Sequence, residues 1–149
     1  MIGMLSVPAE VVAIVLRRHG KLGLFRRSMH VGSDAGLWHC ITGYLDDGVD
    51  PTMHALVEVF EETGLCAGDM DTFVQGPVLR VEGDDAVTWT IHPFLVDVTK
   101  RRLTLDWEHD RYRWVDPRQL GGYQRVSWLG LVLDALIQPR RDPHGDAAG

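Results

Sequence analysis

Asp50-Pro51 at one end and Gly64 at the other bracket a segment that chain chemistry pushes strongly toward an α-helix. An aspartate before proline suits the N-cap, and proline at the first helical position loses only a hydrogen bond that would go unmade anyway. Glycine supplies the left-handed residue that ends a helix. Between them Met53, Leu56, Val57 and Phe60 recur at helical intervals, which predicts an apolar stripe that docks the helix on a sheet. Glu58, Glu61 and Glu62 fall at i, i+3 and i+4, so three carboxylates share one face within reach of one another. Like charges that close are tolerated when the face is solvated, when one carboxyl keeps a proton, or when a divalent cation sits among them. For an isolated E-x-x-E-E run the solvated face is the ordinary explanation. Here a loop bracketed by Gly43 and Gly48 precedes the helix, and docking would fix the carboxylates in a cleft.

The rest of the chain predicts strands. Val11 to Leu16 and Leu22 to Phe25 flank His19-Gly20, as a hairpin would. Ser28 to Gly36 reads as a loop and Leu37 to Thr42 as a strand. Asp71 to Val81 and Val87 to Val98, separated by Glu82-Gly83-Asp84-Asp85, suggest an antiparallel pair, with Tyr112 to Val115 a further strand. Val126 to Ile137 is apolar at helical intervals and stops before Pro139. Periodicity alone therefore gives α/β or α+β. With 149 residues, a single domain over 1–139 is expected, followed by a loose polar tail over 140–149.

Fifteen Lys and Arg stand against twenty-one Asp and Glu, a formal charge of -6, so the global field opposes duplex nucleic acid. A small anionic diphosphate would need a local cation, for which a bound metal is the simplest source. Cys40 and Cys66 lack zinc-ligand spacing and are expected to be two buried free thiols. Val11 to Leu16 is too short to span a bilayer and no charged leader precedes it, so no membrane partner and a cytoplasmic location are expected. The oligomeric state is left open, a homodimer included.

Gly43 to Leu65, GYLDDGVDPTMHALVEVFEETGL, resembles the Nudix box, G-x5-E-x7-R-E-U-x-E-E-x-G-U with U aliphatic. Gly43, Glu58, Val59, Glu61, Glu62, Gly64 and Leu65 match at the correct spacing. The first glutamate and the arginine are replaced by Val49 and Val57. Trp38-His39-Cys40-Ile41-Thr42 resembles the strand leading into that box, and Glu108-His109 with Tyr112-Arg113-Trp114-Val115 a common C-terminal segment of these (MutT-like) proteins. The resemblance implies an α/β/α sandwich with a mixed β-sheet, in which the box forms a loop–helix–loop element. In the family the two missing side chains are expected to pair and brace the loop. Replacing both partners by apolar groups can be nearly neutral, so Val49 and Val57 are expected to form an apolar substitute.

By matched position, the resemblance implies that Glu58 and Glu62 bind a metal, with Glu61 completing the cluster and a backbone carbonyl of Thr42 or Gly43 adding an oxygen. Magnesium suits an all-oxygen site, and manganese can substitute. Glu61, Glu108 and Glu82, in that order, are candidate general bases. Trp38, Tyr44 and Trp89 are candidates for stacking a nucleobase, and Arg26, Arg27 and Arg80 for clamping phosphate. Strand aromatics and surface arginines are common without such roles. His92, before Pro93, is expected to pack at a strand bend. The implied activity is hydrolysis of the pyrophosphate linkage in a nucleoside diphosphate derivative or a (d)NTP, acting on a small nucleotide or other organic diphosphate. The alternative is a Nudix-like nucleotide sensor or interaction module impaired in catalysis by the altered box.

Overall fold

A computed structural model describes residues 7–83 and 86–137. The chain runs β1 (Val7–Arg18), β2 (Lys21–Arg27), β3 (Trp38–His39), β4 (Ile41–Tyr44), α1 (Pro51–Thr63), β5 (Met70–Gln75), β6 (Leu79–Glu82), β7 (Val87–Val98), β8 (His109–Val115) and α2 (Leu129–Leu136). All eight strands join one mixed sheet. Its spine is the long parallel pairing of β1 with β7, from Val7↔Val87 to Arg17↔Asp97. Every other pairing between these strands is antiparallel among the described residues, with one isolated parallel bridge, Trp38↔Arg125, outside those pairings.

β1 is apolar without alternation because both of its faces are buried. Val12, Ile14 and Leu16 pack with Ala55 and Val59 of α1, whereas Val11, Ala13 and Val15 pack with Leu129, Val132 and Leu133 of α2. The sheet thus lies between one helix on each side, the sandwich implied by the resemblance. His19 and Gly20 both take positive φ, 48° and 78°, and close the expected β1–β2 hairpin as a two-residue turn.

Several expectations need correction. The segment Leu37 to Thr42 is two strands, because the chain crosses at Cys40 from pairing with β2 to pairing with β1. Asp71 to Val81 likewise divides into β5 and β6, which pair with successive parts of β7. A Cβ on Gly76, between them, would meet Leu136 at 2.8 Å, so the break also makes room for α2. The last helix is shorter than 126–137, starting at Leu129, and β8 starts at His109, three residues before the predicted strand. Cys66 is exposed while Cys40 is buried, correcting the pair of buried thiols. The expected tail at 140–149 lies outside the described residues.

The largest correction concerns α1. Its bounds and its Gly64 C-cap, at φ 77° and donating its N–H to Phe60 O, agree with the sequence reading, but Asp50 takes the N-cap position without a side-chain hydrogen bond. Of the predicted docking stripe, Met53, Val57 and Phe60 are 59 %, 46 % and 56 % exposed. The helix instead buries Ala55, Val59, Glu62 and Thr63. Val49 is 40 % exposed, so any apolar substitute for the family's ion pair would lie at the surface.

Candidate active site

Burying Glu62 is the unusual act of this fold. Its side chain, 1 % exposed, comes from the last turn of α1 and meets the segment that leads into β8. That segment is tied to the helix end by Thr104 N–H donating to Thr63 O at 3.0 Å. Within it Asp106 Oδ1 accepts from Glu108 N at 3.2 Å and lies 3.4 Å from His109 Nδ1. His109 Nδ1 is in turn 3.7 Å from Glu62 Oε1. One ligating atom each of Glu62, Glu108 and His109 lies within 4.8 Å of the others.

These groups are not satisfied by the protein. No hydrogen bond of good geometry reaches either carboxylate oxygen of Glu62 or either ring nitrogen of His109, all of them buried, and the Glu58 and Glu108 carboxyls lie close enough to Glu62 to share a proton with it. Leaving such groups unpaired is costly, so a site of this kind needs a proton, a water or a cation to complete it. Burial, reinforced by the neighbouring Glu58 carboxyl, pushes the Glu62 carboxyl up to about 11. Burial raises Glu58 and Glu108 as well, Glu108 further through Asp106. His109 is lowered by burial against the opposing pull of Asp106. A divalent cation among these oxygens would reverse that balance and favour ionised carboxylates. The residues present therefore fit such an ion.

One turn before Glu62, Glu58 lies against the backbone of Gly43, where an added Cβ would fall inside its carboxyl group. Only glycine permits that approach, so the first glycine of the box and the first of the three glutamates are one steric unit. His54, one turn earlier again, places Nε2 3.2 Å from Glu58 Oε1. Glu61 is exposed, and its charge reaches Glu58 and Glu108. The structure thus brings together Glu58, Glu62 and Glu108 beside Gly43, with Glu61 at the rim.

Other sequence candidates lie elsewhere or are already engaged. Glu82 and Arg80 are exposed on β6, which pairs with the Thr88–Ile91 part of β7. Arg26 is held by Asp110 at 2.7 Å. Arg27, whose Nε donates to Ser33 O at 3.0 Å, projects its positive charge onto Glu108, His109 and His39. Trp38 packs edge-on against Tyr123. Tyr44, 67 % exposed and next to Gly43, stacks on Trp89 with ring centroids 6.1 Å apart. His92 is not part of the Glu62, Glu108 and His109 group and contacts Glu10 at 2.6 Å. The sequence reading missed His109, Asp106 and His54 as site residues. His54 was within reach, because it stands four residues before Glu58 on the same helical face.

Comparison with known proteins agrees with this fold. The NUDIX domain family model matches residues 7–133. The fold is similar to a MutT protein from Methanosarcina mazei Go1, at 22 % identity and TM-score 0.69, covering 89 % of this chain and 94 % of that one. It is similar to the dihydroneopterin triphosphate pyrophosphohydrolase of E. coli, at 16 % identity and TM-score 0.70, covering 89 % and 96 %. It also resembles an Ap4A hydrolase of C. elegans, at 18 % identity and TM-score 0.63, covering 87 % and 94 %. No curated protein sequence matches the chain. The chain belongs to the Nudix family. Within that family it is a hydrolase acting on phosphoanhydride bonds. Among the described residues no helix is long and apolar enough to cross a membrane.

Proposed function

We propose that the cleft at the end of α1 hydrolyses the pyrophosphate linkage of a nucleoside diphosphate derivative or a (d)NTP, with magnesium, or manganese in its place, as cofactor. The observation that carries this reading is Glu62, fully buried with no hydrogen bond of good geometry to either oxygen, crowded by the carboxyls of Glu108 and of Glu58 one helical turn away. Glu58 and Glu62 would hold the ion, with Glu61 and a carbonyl of Thr42 or Gly43 nearby. When bound, such an ion supplies charge neutralisation of the diphosphate and acidifies a coordinated water. Glu108, half-buried and with its affinity for protons raised, accepts the proton of the attacking water. Asp106 anchors the Glu108 backbone and faces His109, which fixes the segment that carries this base. Arg27 projects positive charge onto this region and suits a phosphate oxygen better than Arg26, which Asp110 holds. The exposed Tyr44 on Trp89 offers a face for a nucleobase next to the Gly43 loop. The named substrates of the E. coli and C. elegans relatives, a pterin triphosphate and a dinucleoside tetraphosphate, support a polyphosphate of this general kind.

The test is a panel of dNTPs, nucleotide sugars, ADP-ribose and dinucleoside polyphosphates, assayed with magnesium and with EDTA, using Glu62→Gln as blank. Metal-dependent release of phosphate that the variant loses is the expected result. Thermal stabilisation by a nucleotide without turnover would replace this reading with the sensor.

A further inference from the structure

Away from the acidic cluster the protein carries an opposite one. A cavity of about 930 Å³ is lined by Arg18, Lys21, Arg101, Arg102, Arg111 and Arg113. These are six of only fifteen Lys and Arg, in a chain whose formal charge is -6. Three elements contribute them: the β1–β2 turn, the segment after β7, and the edge strand β8. The one acidic residue on the wall, Asp110, is already held by Arg26 at 2.7 Å. Among the described residues none of the six comes within contact distance of a carboxylate, and the nearest opposite charges are Asp110 for Arg111 and Asp116 for Lys21.

The wall is built rather than accidental. Trp114 Nε1 donates to Arg101 O at 2.9 Å, Leu103 N donates to Tyr112 Oη at 3.1 Å, and Arg18 Nε donates to Thr99 O at 2.8 Å. The first two bonds hold the Arg101-Arg102 segment against β8, and the third ties its start to the end of β1. Arginines on an edge strand discourage strand addition, which accounts for Arg111 and Arg113 but not for the other four cations. Six like charges gathered in one concavity repel unless an anion joins them, and a concave wall concentrates their field. Guanidinium groups pair phosphate oxygens two at a time. A volume of about 930 Å³ leaves room for more than one phosphate, so a chain of phosphates suits it better than a single one.

We propose that this cavity is a binding site for oligophosphate anions, separate from the acidic cluster. Glu58, Glu62, Glu108 and His109 are absent from its lining, and β8 joins the two regions, with His109 in one and Asp110 in the next. The chain therefore offers one place for a cation and another for a phosphate chain. The site stands independently of which substrate the cleft hydrolyses.

Isothermal titration of the full chain in EDTA tests it, with inorganic phosphate, pyrophosphate, tripolyphosphate and ATP as probes. Affinity is expected to rise with each added phosphate and to weaken as salt is raised. Arg102→Glu combined with Arg111→Glu, both exposed, is expected to weaken tripolyphosphate roughly ten- to a hundredfold. Glu62→Gln should leave that affinity unchanged. ATP binding much more tightly than tripolyphosphate would identify a nucleotide as the source of the phosphate chain, and equal affinity would identify the free anion. The proposal is overturned if tripolyphosphate does not bind, if the charge reversal leaves affinity intact, or if Glu62→Gln abolishes it. It is also overturned if a DNA oligonucleotide or an oligoglutamate of equal charge binds more tightly than tripolyphosphate.

Discussion

The two faces of α1 invert the usual order of an amphipathic helix. Outward it shows Met53, Val57 and Phe60, while inward it buries Ala55, Val59, Thr63 and a carboxylic acid, Glu62. A helix chosen for stability alone would be turned so that its large apolar residues met the sheet. Here the inward face uses small residues that let the helix approach, and it spends part of its buried surface on an unsatisfied acid. The difference teaches that this helix is oriented by what its end must present. Stability is recovered elsewhere, in the two-sided burial of β1.

The sharpest way to test that inversion is to remove the acid. Glu62→Gln is expected to lower turnover by about a hundred- to a thousandfold, in line with losing one well-placed electrostatic group. The metal-free protein should gain rather than lose from a shape-matched apolar replacement. Glu62→Met removes two buried oxygens that make no hydrogen bond of good geometry, along with the crowding of Glu62 by the Glu58 and Glu108 carboxyls, and is expected to stabilise by roughly 1–3 kcal/mol in EDTA. A melt in which Glu62→Met unfolds earlier than the parent would show that Glu62 is paired after all, and the inversion would lose its functional explanation.

Gly43→Ala probes the same face from the opposite wall. The added methyl would occupy the place of the Glu58 carboxyl, so one of the two must move. The substitution is expected to cost roughly 1–3 kcal/mol and much of the activity. In a Glu58→Ala background the steric cost should largely disappear, giving a coupling on the order of 1–3 kcal/mol in a double-mutant cycle. Additive costs would mean that Gly43 serves the backbone and not the carboxylate.

On the α2 side, His39 is a second buried polar group, with both ring nitrogens unpartnered and its ring 4.5 Å from that of Trp128, edge to face. Burial, then the charges of Arg27 and His109, depress it to about 3. It is neutral when folded and takes up a proton near pH 6.5 when unfolded. The unfolded state therefore binds the extra proton between those values, and stability is lost as pH falls through 6.5, by at most about 1.4 kcal/mol per pH unit. Denaturant melts at pH 7 and pH 5 should show a smaller difference for His39→Gln than for the parent. An unchanged difference would shift the acid sensitivity to other groups.

Much of this was legible in the sequence, for reasons that differ from residue to residue. The turn at His19-Gly20, the helix bounds and the Gly64 cap are local chemistry, and local chemistry is written in adjacent residues. The two aliphatic positions of the box, Val59 and Leu65, are both fully buried, so the motif marked the docking face better than apolar periodicity did. Periodicity failed because it ranks residues by hydrophobicity, and the inward face was filled by size and by chemistry. The break at Cys40 was hidden because pairing with β2 and pairing with β1 both suit the same extended residues. His109 and Asp106 escaped because their role depends on Thr104 docking on Thr63, a contact across more than forty positions that no short window contains.

The smallest expected effect is the one that most directly separates the two faces. Phe60 and Val59 are neighbours in sequence, one 56 % exposed and the other fully buried. Phe60→Gln removes an aromatic ring but takes it from water, so stability should change by no more than about 0.5 kcal/mol. Val59→Ala deletes two methyl groups from the packed side and should cost about 2 kcal/mol from lost burial and the cavity left behind. Hydrophobicity alone would put those two values in the opposite order. If equilibrium melts of the isolated chain showed Phe60→Gln to be the costlier change, the ring would have to be covered by something other than water, and the outward face of α1 would be a contact surface.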